Sequence, residues 1–163
     1  MTCGQARPTI VTDKEGRHAN ISGSFSGKVN TQTVFSLRDQ PNHQLQAAEV
    51  AGAQRSSDPD WNDTRMTYWG TTAHHSGNGT QHGYFINERP GGERDWGTFE
   101  GTLASAGNAV TIAGTYTYTG GSGKFNGITG KGTYRGRMIS PTEVERDWKG
   151  AYQLAGARSS GAA

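Results

Sequence analysis

The sequence has one cysteine, no long apolar run and no excess of charge of one sign. Because Cys3 is the only cysteine among 163 residues, an intramolecular disulfide and a thiolate metal site are both excluded. No apolar stretch approaches the ~20 residues of a membrane-spanning helix, so we expect no membrane span. The chain has 16 basic and 14 acidic residues without a basic cluster that contains aromatic residues, which argues against a nucleic-acid partner.

Helical periodicity is also scarce, and short alternating runs take its place. Hydrophobic residues make up only 31% of the chain and glycine contributes 25 residues, yet four Trp, six Tyr and five Phe are spread through these runs. Turns containing Gly, Asn or Pro separate the runs, which is typical of an antiparallel barrel or sandwich. The candidate strands are His18–Phe25, Thr31–Arg38, Gln44–Val50, Arg65–Thr71, Gln81–Glu88, Asp95–Leu103, Val110–Thr119, Gly130–Met138 and Val144–Leu154.

The length of the chain favours one domain with a substantial core. We predict an N-terminal arm over residues 1–15, a single β-barrel domain over residues 16–155 and a disordered tail over residues 156–163. No signal peptide is present in the sequence as given. The location is left open between cytoplasmic, as the sequence is given, and exported, if a leader has been removed.

Alternation along each strand predicts which side chains face the interior. In the last strand, Arg146, Trp148 and Tyr152 share one face, while Glu145 and Lys149 lie on the other. The same rule assigns to the interior Met66, Tyr68, His82, Tyr84, Ile86, Tyr116, Tyr118, Tyr134 and the glycines Gly114, Gly136 and Gly150. Such an interior is aromatic and rich in hydroxyl groups. It forms either a cavity or a solid core whose tyrosines reach the barrel ends and bond to water.

The strand Asp95–Leu103 leaves its orientation open. Phe99 lies on one face, Trp96 and Glu100 lie on the other, and a β-bulge could reconcile them. An inward Glu100 would be desolvated and its pKa raised, which would make it chemically useful, whereas an outward Glu100 is a solvated charge.

Histidines give one candidate for proton transfer and no metal site. His82 is a candidate general acid or base because its intrinsic pKa is close to neutral; the alternative is a hydrogen-bonded core histidine. His74 and His75 are adjacent, so on a strand they point to opposite sides and do not converge on a metal ion.

The most specific pattern is the segment from Gly114 to Gly136, which alternates Thr with Tyr and then passes through a glycine-rich turn. This turn, GGSGKFNGITG from Gly120 to Gly130, resembles the signature of the allene oxide cyclase and dirigent-protein barrels. The likeness covers roughly Trp96 to Leu154. It is similar to the bacterial, mostly uncharacterised branch through the run GTFEGT and the pattern W-x-G-x-Y-x-L of the last strand.

The resemblance implies an all-β, calycin-like fold: a closed antiparallel eight-stranded β-barrel with an apolar cavity and no cofactor. One implied function is a cofactor-independent cyclase, isomerase or lyase that holds a hydrophobic conjugated or aromatic small molecule. The alternative is a non-catalytic barrel that binds an apolar ligand. Relatives are often oligomeric, so the expected partners are a hydrophobic small molecule and further copies of the chain, as a dimer or trimer.

Under the enzyme hypothesis, four residues are catalytic candidates. His82 or Glu100 would move a proton, Tyr116 would donate to developing oxyanion charge, and Arg146 would bind a carboxylate or enolate. The candidate substrate-binding residues are Met66, Tyr68, Tyr84, Trp96, Phe99, Tyr118, Tyr134, Trp148 and Tyr152.

Overall fold

Nine strands form one antiparallel sheet in the part of the chain that the structure describes. The structure, a computed structural model, describes residues 11–13 and 16–155, with side chains from His18 onward. The predicted tail over residues 156–163 and most of the predicted arm lie outside these residues. The strands are β1 (Val11–Asp13), β2 (Gly16–Ser36), β3 (His43–Ser56), β4 (Arg65–His75), β5 (Asn78–Glu88), β6 (Arg94–Ala106), β7 (Ala109–Gly121), β8 (Thr129–Ser140) and β9 (Glu143–Gln153).

The eight strands β2 to β9 close into a barrel. They follow one another in sequence order, and β2 also pairs with β9 from His18–Gln153 to Lys28–Glu143. The short strand β1 pairs with the beginning of β2 and lies outside the closed set. Closure gives each of the eight strands two hydrogen-bonded neighbours and so removes the free edges of the sheet. The predicted closed antiparallel eight-stranded barrel is confirmed. No helix in the described residues has the length and hydropathy needed to span a membrane.

The first two predicted strands are one continuous strand. β2 spans 21 residues; its first part pairs with β9, and the part from Gly23 to Ser36 pairs with β3. The predicted break between the two strands is a β-bulge between Val29 and Thr31. A bulge bends a strand without ending it, so the strand leaves β9 and continues along β3.

Two connections close one end of the barrel. Trp61 lies in the β3–β4 connection, and Phe125 lies in a 3₁₀ turn (Gly123–Phe125) between β7 and β8. Both side chains are fully buried and meet edge to face, with ring centroids 5.4 Å apart. Asp60 is held by Lys124 Nζ, 2.5 Å from its carboxylate, and by Arg89 Nε, which donates to its carbonyl oxygen at 2.7 Å. The segment around Trp61 is therefore bound to the β5–β6 and β7–β8 connections.

The predicted inner faces of β7, β8 and β9 are confirmed, and so is that of β4. Tyr68 is buried on β4 and Met66 is partly buried beside it. On the other three strands the buried side chains are Ile112, Tyr116, Tyr118, Tyr134, Val144, Arg146, Trp148 and Tyr152.

The predicted inner face of β5 is wrong. His82 and Tyr84 are exposed, with 66% of the Tyr84 surface in contact with solvent, and Ile86 lies on the same outer face. The buried side of this strand consists of Gln81, Gly83, Phe85 and Asn87. Both faces of β5 mix polar and apolar residues. The hydropathy pattern favoured the face with Tyr84 and Ile86, because the other face has two amide side chains.

Specific hydrogen bonds allow two amides to occupy that buried face. Gln81 Nε2 donates to the Tyr134 hydroxyl at 2.7 Å, and Asn87 Nδ2 donates to Asp95 Oδ2 at 2.8 Å. Burial of a polar group costs little free energy when such a partner replaces its hydrogen bonds to water. The orientation of β5 is therefore fixed by partners on β6 and β8.

On β6 the outward orientation of Glu100 and the inward orientation of Phe99 are both observed. A register shift does occur against β7, between Trp96 and Gly97. It does not turn the indole inward: Trp96 is 38% exposed, and Asp95 is the buried neighbour. The prediction that Trp96 lines the interior is wrong for this reason.

Glycines on the inner wall make room for rings and leave little empty space. A Cβ atom on Gly114 would lie 2.5 Å from the Tyr134 hydroxyl, and one on Gly136 would lie 2.8 Å from Cγ of Arg146. A Cβ atom on Gly150 would lie 2.5 Å from the Tyr116 hydroxyl and 2.6 Å from the carbonyl oxygen of Lys131. The large side chains of the interior therefore occupy the volume that these glycines release.

We expect Gly150→Ala to lower the free energy of unfolding by about 1–3 kcal/mol, because overpacking of a filled interior costs that much. The matched control is Gly91→Ala, where a Cβ atom would meet no atom within 4 Å. Urea unfolding of both variants, followed by circular dichroism, measures the difference. Equal stability of the two variants would show that the strands around Gly150 accommodate a Cβ atom without loss of stability.

Candidate functional site

The barrel interior contains a cavity of about 50 Å³. Each of the eight closed strands contributes to its lining, together with Trp61 from the β3–β4 connection. One water molecule occupies roughly 10–15 Å³ on this measure, so the cavity has room for about three to five non-hydrogen atoms. Pockets for drug-sized ligands are typically about 300 Å³ or larger. The cavity is therefore the size of a small functional group.

Arg146 is the charged residue in this lining. It projects inward from β9 and is 7% exposed. Its guanidinium carbon lies 4.3 Å from the ring centroid of Tyr68, 4.8 Å from that of Tyr134 and 5.6 Å from that of Phe99. Such contacts with aromatic faces attract a cation. Among the described residues, no carboxylate lies within ion-pair distance of this guanidinium.

The phenols of the lining are neutral hydrogen-bond donors at physiological pH. Burial raises the pKa of Tyr68 and of Tyr134, and the neighbouring Arg146 opposes this effect in both cases. Burial raises the pKa of Tyr116 to about 12, while the adjacent Tyr118 hydroxyl acts in the opposite direction. Burial also raises the pKa of Tyr118 well above its ordinary value.

Several donors in the lining lack partners. Six buried side-chain nitrogen or oxygen atoms of the described residues have no hydrogen-bond partner of normal geometry, and four of them belong to cavity-lining residues. These four are Trp61 Nε1, the Tyr116 hydroxyl, Arg146 Nε and Trp148 Nε1. An unpaired buried polar atom is costly, so native proteins usually supply water or a ligand at such positions.

A second buried charge, near the closed end, is compensated. Asp95 is fully buried and accepts a hydrogen bond from Arg89 Nη1 at 2.7 Å. Asn87 donates to its other oxygen, and Gln54 in turn donates to Asn87. Burial raises the pKa of Asp95 and the guanidinium of Arg89 opposes it. This network joins β3, β5 and β6, and its residues Gln54 and Asn87 belong to the cavity lining.

Most of the predicted interior residues meet around the cavity. Of the candidate catalytic residues, Tyr116 and Arg146 line it, whereas His82 and Glu100 lie on the outer face as cross-strand partners of β5 and β6. Of the substrate-binding candidates, Tyr84 and Trp96 also face outward, and Tyr152 is buried against Trp61 with ring centroids 4.5 Å apart. The candidates that line the cavity are Met66, Tyr68, Phe99, Tyr118, Tyr134 and Trp148.

Sequence reasoning missed five residues of the lining. Phe25 lay in a predicted strand whose faces were not assigned, and Phe85 and Asn87 lay on the misassigned face of β5. Gln54 follows the predicted end of its strand, and Trp61 lies in a connection. The sequence feature that could have indicated Trp61 is the presence of a large apolar ring between turn-forming residues.

Comparisons with known proteins find similarity to solved structures alone. No protein-family model and no curated protein matches the chain. Among solved structures, two chains match, and one is a pterocarpan synthase dirigent protein. It is similar to this chain at a TM-score of 0.48 with 12% sequence identity, over 93% of this chain and 98% of that chain. Membership in the allene oxide cyclase and dirigent-protein barrels, and placement in their bacterial branch, remain predictions. Within the described residues, no group of three or more His, Cys, Asp or Glu side chains could hold a metal ion.

The pKa of Tyr116 predicts how stability depends on pH. Its ordinary value is 10.0 and its value in the folded protein is about 12, so the folded state retains a proton that the unfolded state has released. The free energy of unfolding therefore falls as the pH rises from 10 to 12. Tyr116→Phe should make this slope shallower by up to about 1.4 kcal/mol per pH unit.

Urea unfolding of both proteins at several alkaline pH values measures this slope. The same pair at pH 7 is the control, because there the phenol of Tyr116 is protonated in both states and any difference reports packing. Parallel slopes for the two proteins above pH 10 would contradict the assignment.

Proposed function

We propose that this protein is a small-molecule-binding barrel whose interior accepts part of a hydrophobic, conjugated or aromatic molecule. The observation that carries the proposal is the lining itself: aromatic side chains surround a cavity, and four of the lining residues have a buried polar atom without a hydrogen-bond partner of normal geometry. Aromatic walls with a few placed polar groups are typical of ligand sites.

The size of the cavity limits how much of such a ligand can enter the closed barrel. About 50 Å³ accommodates one functional group, so a ring-sized body requires the interior to open. Trp61 both lines the cavity and fills the closed end, and its connection is held through Asp60 by the side chains of Arg89 and Lys124. Displacement of this connection is the route that would enlarge the interior without breaking the strand pairs of the closed barrel.

The same lining supports a cyclase- or isomerase-type activity by orientation and oxyanion stabilisation. Tyr68, Tyr116 and Tyr134 are neutral phenols that can donate to developing negative charge. His82 and Glu100 face solvent, so neither reaches the interior as a base. A reaction inside the barrel would depend on binding a reactive substrate in one folded conformation, which can contribute several kcal/mol. The non-catalytic alternative uses the same contacts without turnover. Assembly into a dimer or trimer remains a prediction.

Binding can be measured with the tryptophans of the interior. In the variant Trp69→Phe/Trp96→Phe, the remaining indoles are Trp61 and Trp148, both of which line the cavity. We expect 2-naphthol, a neutral aromatic molecule, to change their fluorescence in a saturable way. In the reciprocal variant Trp61→Phe/Trp148→Phe the reporters lie on the outer face, and the change should be absent. A saturable signal from the outer pair alone would place binding outside the barrel.

Native mass spectrometry of the purified protein tests for a retained ligand, and any ligand found supplies the substrate for a turnover assay. We expect Tyr116→Phe to reduce kcat by up to ~100-fold, because one oxyanion donor contributes about that factor. His82→Ala and Glu100→Gln are matched controls on the outer face and should retain the kcat of the parent protein. Loss of turnover in these two variants, with none in Tyr116→Phe, would contradict an interior reaction site.

A further inference from the structure

We infer that the ligand group seated in the cavity is anionic, and that a carboxylate or a similarly small oxyanion binds against Arg146. This inference rests on the proposed function and adds to it the charge and the size of the group that the interior recognises. Its three supports are the unpaired charge of Arg146, the chemistry of the neighbouring donors and the volume that they enclose.

The first support is a contrast between two buried arginines. Arg89 has a side chain that is 10% exposed, and its charge is neutralised by Asp95 at 2.7 Å. Arg146 is buried to a similar degree, and among the described residues it has no carboxylate within ion-pair distance. The adjacent carboxylates of β9, on Glu145 and Asp147, are on the outer face. A buried cation without a counter-charge is unfavourable, so an anion from outside would be bound strongly.

The second support is the way the guanidinium is surrounded. The rings of Tyr68, Phe99 and Tyr134 lie around its carbon atom at 4.3 to 5.6 Å. Ring faces attract the charge but accept few of its five N–H groups in good geometry. Nε of Arg146 is buried and has no partner of normal geometry. Nε of the guanidinium is therefore available to an oxygen acceptor such as a carboxylate, in addition to the hydrogen-bonding contact that the guanidinium makes with the Tyr68 hydroxyl.

The third support is the composition of the rest of the cavity. The other unpartnered polar atoms of its lining are the indole N–H groups of Trp61 and Trp148 and the hydroxyl of Tyr116. An indole N–H can only donate, and no carboxylate side chain contributes to the lining. A cation would be repelled by Arg146, and an apolar group would leave Nε of Arg146 unpaired. An oxyanion provides several acceptors at once, and about 50 Å³ matches a group of three or four non-hydrogen atoms.

The test compares an anion with its neutral isostere in the variant Trp69→Phe/Trp96→Phe. Benzoate and benzamide have nearly the same shape, and only benzoate is charged. We expect benzoate to bind at least ~10-fold more tightly, which corresponds to one charge-assisted contact with Arg146. Formate, which is no larger than the cavity, should raise Tm at constant ionic strength relative to chloride, since a ligand of the folded state stabilises it.

Two arginine variants separate the interior charge from surface charge. In Arg146→Met the preference for benzoate over benzamide should disappear, whereas Arg135→Met, on the outer face of β8, should retain it. Replacement of an unpaired buried cation by an apolar side chain is expected to leave Tm of the unliganded protein equal or higher. Arg146→Lys keeps the charge and should keep a weakened preference for the anion.

The outcomes distinguish this inference from the proposed function. Equal binding of benzoate and benzamide overturns the anionic group and leaves an aromatic-binding barrel intact. Stabilisation by formate that Arg146→Met abolishes, without binding of either aromatic compound, supports the anion site and overturns the aromatic ligand. Absence of binding by all three compounds overturns the inference. So does a large fall in Tm for Arg146→Met in the unliganded protein, because Arg146 would then be paired and structural.

Discussion

Glycines on the inner wall are the constraint on which the interior of this barrel depends. An eight-stranded barrel is just wide enough for side chains to fill, so large rings fit only where inward positions on neighbouring strands are glycine. The Tyr134 hydroxyl lies against Gly101 and Gly114, and a Cβ atom on either would be 2.5 Å away. Gly132 and Gly150 accommodate Tyr116 in the same way. Ring positions are therefore fixed by the backbone, and the space left between the rings is a small cavity of definite shape.

Arg89 and Arg146 differ in the way their charges are compensated. Arg89 is paired with Asp95 and also contacts Phe125, with its guanidinium carbon 3.7 Å from the ring centroid, so it joins the closing loops to the barrel. Loss of one partner from such a pair leaves a costly buried charge, which keeps the network intact. Arg146 has rings around it in place of a carboxylate. The charge of the first arginine is balanced by a carboxylate of the fold, whereas the second faces aromatic rings and the cavity.

The hydropathy pattern predicted the inward-facing residues well in the second half of the barrel and less well in the first half, and particular residues show why. On β9, Trp148 and Tyr152 alternate with charged or polar residues, so the inner face is unambiguous. On β5 the buried amides depend on Tyr134 and Asp95, which are distant in sequence, and no local pattern reports those bonds. The continuity of β2 depends on pairing with two different strands. The burial of Trp61 likewise depends on rings contributed by later segments of the chain.

The separation of donors inside from titratable groups outside limits the chemistry that the barrel can perform. The interior presents a fixed cation and neutral phenols, all of which stabilise negative charge on oxygen. His82 and Glu100 are on the opposite side of the wall, so a proton removed inside must pass to water or to another part of the substrate. Reactions that suit this arrangement move electrons within one folded, conjugated molecule and need no protein base. The same arrangement, with a ligand that does not react, gives a binding protein, because the contacts that would orient a substrate also retain a stable molecule.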